Sequence, residues 1–215
     1  ERRKYFILCV ADGVGGAGFG EVASRNAVLE AYRSVIVGLL RLDSSEDIVR
    51  NSIMNANAKV LEEKMKRGEM GTTMTLALLS GGDLTIGHVG DSRAYLIDDE
   101  GIRQLTRDHK YVDELVEKGI ISREEARYHP NRNVITSALG MPSPRIDILT
   151  FKGMISRNSL LLTTDGLTDL IEDYEIFETF SRYPNHPDFL AKILVNQANA
   201  RGGRDNISVA VLTHI

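Results

Sequence analysis

The sequence FILCVADGVGG at residues 6–16 joins a short apolar run to an acid and a group of glycines. A short apolar run of this kind is typical of a buried β-strand. Asp12 is therefore predicted to lie at the tip of a strand, on the rim of a sheet, with its carboxylate open to solvent. The glycines allow the backbone to approach a ligand closely. A carboxylate beside an accessible carbonyl offers the oxygen ligands that Mg²⁺ or Mn²⁺ prefers.

An Asp-Gly pair on its own usually indicates a turn, and this simpler interpretation of Asp12 has to be weighed first. Two observations favour a site instead. The residues after Gly20 have the spacing of a long helix rather than of a return strand. Three further acids, Asp91, Asp165 and Asp205, also stand beside small residues next to apolar runs. We expect these four carboxylates to lie at strand tips and to converge on one site.

The composition of the 215 residues, 42% of them apolar, predicts one domain, residues 1–215, with a sizeable core. The net charge is -4 and no lysine- or arginine-rich run stands out, so nucleic acid is not a favoured partner. No apolar run approaches the roughly 20 residues of a membrane span, and no signal peptide is visible. Cys9 is the single cysteine, which excludes an internal disulfide and fits a reducing cytoplasm. A cytoplasmic monomer is expected.

The spacing of apolar residues predicts two amphipathic helices in the first third of the chain. One runs from Gly20 to about Leu42, and the second follows an acidic cap-like segment and ends near Arg67. Between residues 70 and 105 the pattern changes to a meander of short strands, with a tight hairpin turn at residues 81–83.

A charged segment with helical spacing, from Asp108 to Tyr128, then interrupts the strands, and Ser122 and Glu125 match a capping box within it. We interpret it as an excursion that stands over the edge of the sheet. Antiparallel strands with helices grouped in pairs predict an α+β sandwich. The remaining strands are predicted at 145–151, 159–164 and 206–212, and the remaining helices at 173–182 and 187–200.

Taken together, these stretches resemble the metal-dependent protein phosphatases of the PP2C or PPM type, in their short bacterial form. The resemblance covers nearly all of the chain in the right order. Each motif is weak alone, but seven in series are specific. The motifs are ADGVGG at 11–16, MGTT at 70–73, HVGDSR at 88–93, LTRDH at 105–109, NVITSALG at 133–140, TDGL at 164–167 and GRDN at 203–206.

The resemblance implies a four-layer αββα sandwich of two mainly antiparallel sheets, with a helical flap subdomain at about 108–131. It also implies two Mn²⁺ or Mg²⁺ ions at one end of the sandwich. By similarity, Asp12 bridges both ions, Gly13 offers its carbonyl to one, and Asp165 and Asp205 complete the other. Asp91 would hold a third, looser ion that it shares with Asp165. In this scheme Asp12, Asp165 and Asp205 are catalytic through the water that the metals activate.

The function that the resemblance implies is metal-dependent hydrolysis of phosphoserine and phosphothreonine in proteins, by a water or hydroxide activated between the two ions. The partners would be phosphoproteins, the targets of an opposing serine/threonine kinase. The alternative is a pseudophosphatase-type regulatory module that binds a partner with little or no catalysis. The presence of an acid or glycine at all five metal positions favours the enzyme.

The sequence departs from the family pattern at its start. The family carries an arginine that grips the substrate phosphate, and an acidic pair, upstream of the first ADG strand. Because this sequence begins at Glu1, the N-terminal strand and its motif are missing from it, and Arg2 and Arg3 are poor substitutes. Either the motif lies further upstream or the catalytic activity of the chain is impaired. Val14 replaces the histidine that animal members carry as a proposed general acid, so a water is expected to do that work.

The remaining polar residues near the motifs are predicted to have structural roles. His88 lies inside a strand and is expected to pack in the core. His109 and His129 bracket the flap and are expected to anchor its helices by hydrogen bonds. Arg93 and Arg204 neighbour two of the proposed metal ligands, and pairing with a carboxylate is favoured over contact with substrate.

Overall fold

The computed structural model describes residues 4–14, 18–153, 158–184 and 186–213. Arg2, Arg3, Gly15 and Gly16, for which the sequence suggested roles, lie outside these ranges. In chain order the elements are β1 (Tyr5–Val10), β2 (Gly13–Val14), α1 (Gly20–Arg41), α2 (Ser45–Arg67), β3 (Gly71–Thr72), β4 (Met74–Ser80), β5 (Asp83–Val89), β6 (Arg93–Asp98), β7 (Gly101–Gln104), α3 (Tyr111–Glu117), α4 (Arg123–Tyr128), β8 (Asp147–Phe151), β9 (Ser159–Thr163), α5 (Asp165–Thr168), α6 (Asp173–Arg182), α7 (Pro187–Ala200) and β10 (Val209–Leu212).

The strands form two four-stranded antiparallel sheets, which confirms the predicted α+β class. One sheet has the order β1-β4-β5-β8 and the other the order β10-β9-β6-β7, while β2 and β3 form a separate two-stranded ribbon. The predicted hairpin joins β4 to β5, with Ser80 opposite Asp83. Between β5 and β6 the chain crosses from the first sheet to the second.

Three apolar clusters show how these elements are layered. In the first, α1 and α2 pack on β4, with Ala27, Ile53 and Leu76 fully buried between them. The second lies between the sheets, where Ile86 of one faces Leu162 of the other. The third joins the second sheet to α5, α6 and α7. The order of layers is therefore helices, sheet, sheet, helices.

The ends of the helices follow from local chemistry. Ser44 caps α2, because its hydroxyl accepts a hydrogen bond from the Asp47 N–H at 3.2 Å. The predicted capping box of Ser122 and Glu125 is present at the start of α4. Neither α1 nor α2, nor any shorter helix in the described ranges, has the length and apolar character needed to cross a membrane.

The last strand is shorter than predicted. It covers Val209–Leu212 rather than residues 206–212. The backbone before it bonds largely to side chains, since the Asn206 and Ser208 carbonyl oxygens both accept hydrogen bonds from threonine hydroxyls, and Ser208 also accepts from the Thr164 N–H at 3.1 Å. Asp205 therefore lies in a loop between α7 and β10.

Candidate active site

The topology brings the four segments that carry the predicted acids to one end of the sandwich. Asp12 follows β1 and Asp91 follows β5, and these two strands run in the same direction because each pairs antiparallel with β4. Asp165 follows β9 at the end where β9 meets the start of β10, just after the Asp205 loop. The start of β6 also meets the end of β9, with Arg93 opposite Thr163. The segment that contains Asp91 thus connects the two sheets at this end.

Asp12 and Asp165 form the electrostatic centre of this group. Burial raises the pKa of Asp12 to about 7, together with the charge of Asp165, a side-chain hydrogen bond to Asp165, and the charges of Asp205 and Asp91. Burial also raises the pKa of Asp165, helped by the charge of Asp91. The Asp165 Oδ1 atom is buried and has no hydrogen-bond partner within the described ranges. The negative charge of these two carboxyl groups is therefore not fully balanced by neighbouring positive charge.

Two threonines hold the backbone of Asp12. The Asp12 carbonyl oxygen accepts from the Thr73 N–H and from the Thr72 hydroxyl, both at 2.8 Å. The Asp12 N–H donates to the Thr73 hydroxyl oxygen at 2.9 Å. The same hydroxyl lies 2.7 Å from the Ser92 hydroxyl. The MGTT motif thus connects the Asp12 strand tip to the segment that carries Asp91.

A third threonine, Thr164, holds the Asp165 segment against the Asp205 loop. The Thr164 hydroxyl donates to the Asn206 carbonyl oxygen at 3.2 Å and accepts from the Ser208 N–H at 3.0 Å. A Cβ atom at Gly166 would overlap the Asn206 carbonyl oxygen, so only glycine allows this approach. Asp205 itself is solvent-exposed.

Sequence reasoning recorded these threonines only as parts of motifs. Their roles depend on which distant backbone atoms each hydroxyl reaches. Thr164 directly precedes Asp165, and this adjacency was the signal that could have indicated its role.

Asp91 is placed differently from the other three acids. Its side chain is almost fully buried, and its Oδ2 atom lies 2.9 Å from the Nζ atom of Lys110. Burial alone would lower the pKa of Lys110, but the pKa is raised because Asp91, Asp108 and Asp169 surround the ammonium group. Lys110 was not predicted from the sequence. It directly follows the LTRDH motif, which is the signal that could have identified it.

The predicted structural roles of Arg93 and His88 are confirmed. Arg93 makes a bidentate ion pair with Asp108, in which the Arg93 Nη2 atom lies 2.7 Å from Asp108 Oδ2. His88 is fully buried in β5, where its ring nitrogens lie 2.9 Å from the Thr75 hydroxyl and 2.9 Å from the Arg107 carbonyl oxygen. Arg204 is exposed.

His109 makes the anchoring hydrogen bonds that were predicted, whereas the His129 ring bonds to the backbone only two residues along the chain. The Nδ1 atom of His109 accepts from the Gly90 N–H at 3.2 Å, and its Nε2 atom lies 3.1 Å from Asp147 Oδ2. His129 accepts from the Asn131 N–H at 3.1 Å. His109 thus fastens the start of the flap to the first sheet.

The fit of this end of the sandwich to a metal ion rests on the chemistry of its donors. In the part of the chain that the structure describes, no three His, Cys, Asp or Glu side chains already surround one point as metal ligands would. Two neighbouring half-buried carboxylates, such as those of Asp12 and Asp165, nevertheless repel each other until a cation or a proton lies between them. The Asp165 oxygen that has no hydrogen-bond partner in the described ranges and the raised pKa of Asp12 are the features expected where a hard cation binds. Carboxylates at Asp12 and Asp165 therefore fit Mn²⁺ or Mg²⁺.

Comparison with known proteins agrees with this arrangement. The family model described as protein phosphatase 2C matches residues 1–208. The serine/threonine phosphatase stp of Listeria monocytogenes is 35% identical over 213 residues, which cover 96% of this chain and 83% of that protein.

Solved structures show the same relationship. The serine/threonine phosphatase of S. agalactiae has a TM-score of 0.84 and 30% identity, covering 96% of this chain and 86% of that chain. The catalytic domain of the phosphatase PstP in complex with 2 manganese ions has a TM-score of 0.76 and 30% identity, covering 99% and 91%. This likeness over almost the whole chain, in sequence and in fold, shows that the protein belongs to the protein phosphatase 2C family, among the bacterial serine/threonine phosphatases.

Proposed function

We propose that this chain is a catalytically active domain that hydrolyses phosphoserine and phosphothreonine in proteins with two bound Mn²⁺ or Mg²⁺ ions. The ligands would be Asp12, the Gly13 carbonyl, Asp165 and Asp205. The observation that carries the proposal is the pair of half-buried, mutually repelling carboxyl groups of Asp12 and Asp165 at the end of the sandwich. The manganese-bound relative supports the choice of metal.

Each proposed ligand has a distinct task. Asp12 would contact both ions, and the bonds from Thr72 and Thr73 hold its backbone in place. Asp165 would share one ion with Asp205, and Thr164 keeps their two segments together. When bound, the paired ions would supply an acidified water and neutralise the phosphoryl oxygens. The protein's own contribution is to hold Asp12 in place, whereas its raised pKa means that the bound cations would favour its ionised form.

The substrate class follows from the family. Phosphoproteins made by an opposing serine/threonine kinase are the proposed partners, and the flap is the proposed surface that selects among them. It places two short helices, α3 and α4, beside the site, and the bonds of His109 fix its starting point.

The decisive experiment is hydrolysis of p-nitrophenyl phosphate and of a phosphothreonine peptide by the full-length protein, with saturating Mn²⁺ and with EDTA. We expect turnover that EDTA abolishes. Asp12→Asn should lower turnover by more than about 100-fold, beyond what the loss of a supporting residue usually costs. Asp165→Asn and Asp205→Asn should lower it less, because each removes a ligand from one ion rather than two.

The matched control is Asp43→Asn, which removes an exposed carboxylate from the α1–α2 loop. It should keep the activity of the parent protein. Full activity in Asp12→Asn would refute the proposed ligand. No metal-dependent turnover on either substrate would favour the alternative, a regulatory binding module.

A further inference from the structure

We infer that the ammonium group of Lys110 is the built-in counter-charge of Asp91 and takes the place that a third divalent ion would occupy between Asp91 and Asp165. The inference deepens the proposed function and rests on the two-ion site described for it. It changes the expected role of Asp91, which would hold a side chain of the flap rather than a metal ion.

The contact itself is close and enclosed. The Nζ atom of Lys110 lies 2.9 Å from Asp91 Oδ2, and the two side chains are only 10% and 4% exposed. A buried carboxylate needs a partner of opposite charge. Lys110 supplies that charge from within the chain, and a divalent ion at the same carboxylate would have to lie beside an ammonium group of like charge.

The backbone holds Lys110 in this position from both sides. On one side, the His109 N–H donates to the Gly90 carbonyl oxygen at 2.7 Å, and the Gly90 N–H donates to His109 Nδ1 at 3.2 Å. On the other side, the Tyr111 N–H donates to the Val134 carbonyl oxygen at 2.9 Å. Because Gly90 directly precedes Asp91, these bonds place the two charged residues opposite each other.

The carboxylates around Lys110 indicate which acids its positive charge stabilises. Asp91, Asp108 and Asp169 all act on its ammonium group, and Lys110 in turn acts on Asp165. Asp108 is already paired with Arg93, whose Nη2 atom lies 2.7 Å from its carboxylate. The ammonium group of Lys110 therefore acts mainly on the Asp91 side of the site, where the family resemblance implied an ion shared by Asp91 and Asp165.

The ion pair between Lys110 and Asp91 also connects the flap to the sandwich. Lys110 is the residue immediately before α3, the first helix of the flap. Asp91 lies at the crossing between the two sheets. The pair therefore fastens the flap to the catalytic end of the sandwich without needing a metal ion.

The test is to count bound Mn²⁺ per chain by equilibrium dialysis with elemental analysis, at saturating Mn²⁺. Lys110→Ala should bind one ion more than the parent protein, because Asp91 is then free to act as a ligand. Lys110→Arg keeps the charge and should bind the same number as the parent. Lys118→Ala removes an exposed lysine of the same flap and should also leave the number unchanged.

A second variant keeps the test decisive where Lys110→Ala fails to fold. Asp91→Asn should leave the number of bound ions at the parent value, because Asp91 holds Lys110 and not an ion. Loss of one ion in Asp91→Asn, or an equal count in Lys110→Ala and the parent, would overturn the inference. The inference is judged by these differences, whereas the proposed function is judged by the parent's own count and by its sensitivity to EDTA.

Discussion

At the scale of the residue, His88 should control how the protein responds to mild acid. The pKa of His88 is lowered from 6.5 to about 4, mainly by burial and also by the charge of His109, against the opposing charges of Asp108 and Asp147. The Arg107 carbonyl can only accept a hydrogen bond, so we infer that Nε2 carries the proton and that the neutral ring is the folded form.

The direction of the effect follows from proton linkage. Between pH 6.5 and about 4 the unfolded chain binds a proton at His88 that the folded protein does not. The stabilising contribution of neutral His88 is therefore complete above pH 6.5 and is lost as the pH falls, by about 3 kcal/mol in total.

We expect the free energy of unfolding, measured with urea at pH 7 and pH 4.5, to fall less in His88→Gln than in the parent protein. The variant should be the less stable of the two at pH 7, because it lacks the packing of the ring. The same pH dependence in both proteins would contradict this assignment.

At the scale of the element, the buried hydroxyl of Thr164 makes two of the bonds that join the end of β9 and the start of α5 to the loop before β10. Thr164→Val keeps the shape of the side chain but removes the bonds to Asn206 and Ser208. We expect unfolding to become easier by about 1–2 kcal/mol, because two partly buried hydrogen bonds are lost. Binding of Mn²⁺ should weaken by roughly tenfold, because the Asp205 loop is then less well held against Asp165.

Thr85→Val is the matched control for this change. The Thr85 hydroxyl in β5 is also buried, but within the described ranges it has no hydrogen-bond partner. Its replacement should be neutral or stabilising, and Mn²⁺ affinity should stay the same. Equal destabilisation by the two substitutions, in urea unfolding, would show that the hydroxyl of Thr164 has no special role.

At the scale of the whole molecule, metal binding and stability should be linked. The proposed ligands come from the tip of β1, from the start of α5 and from the loop before β10, so they come together only when both sheets are packed. Mn²⁺ at about 100 times its dissociation constant should add about 2.7 kcal/mol of stability. For a domain of this size that is a rise of about 5–10 °C in Tm.

Differential scanning calorimetry with Mn²⁺ and then with EDTA measures this rise and its reversal. Asp12→Asn should show a much smaller rise, since the variant lacks the carboxylate shared by both ions. The Asp43→Asn protein again serves as control and should respond like the parent. A rise of equal size in Asp12→Asn would place the stabilising ion elsewhere.

Much of the fold could be predicted from short stretches because the signals are local. The bounds of α6 and α7 agree with the prediction at both ends, since Glu172 and Glu175 form a capping box and Pro187 stands in the first turn of α7. The bounds of α1 and α2 also agree closely. The predicted start of β10 was wrong, because threonine hydroxyls from a distant segment bind Asn206 and Ser208, which precede the strand.

The amino-acid sequence alone determined the class of the fold, the family and the candidate carboxylates, because apolar spacing, helix caps and motifs lie within a few neighbouring residues. Only the tertiary structure decided how those carboxylates are balanced. Asp12 meets Asp165 across two sheets, whereas Asp91 meets the ammonium group of Lys110. Charge pairing acts through space, so the partner of each acid depends on which distant segments the packed sheets bring together.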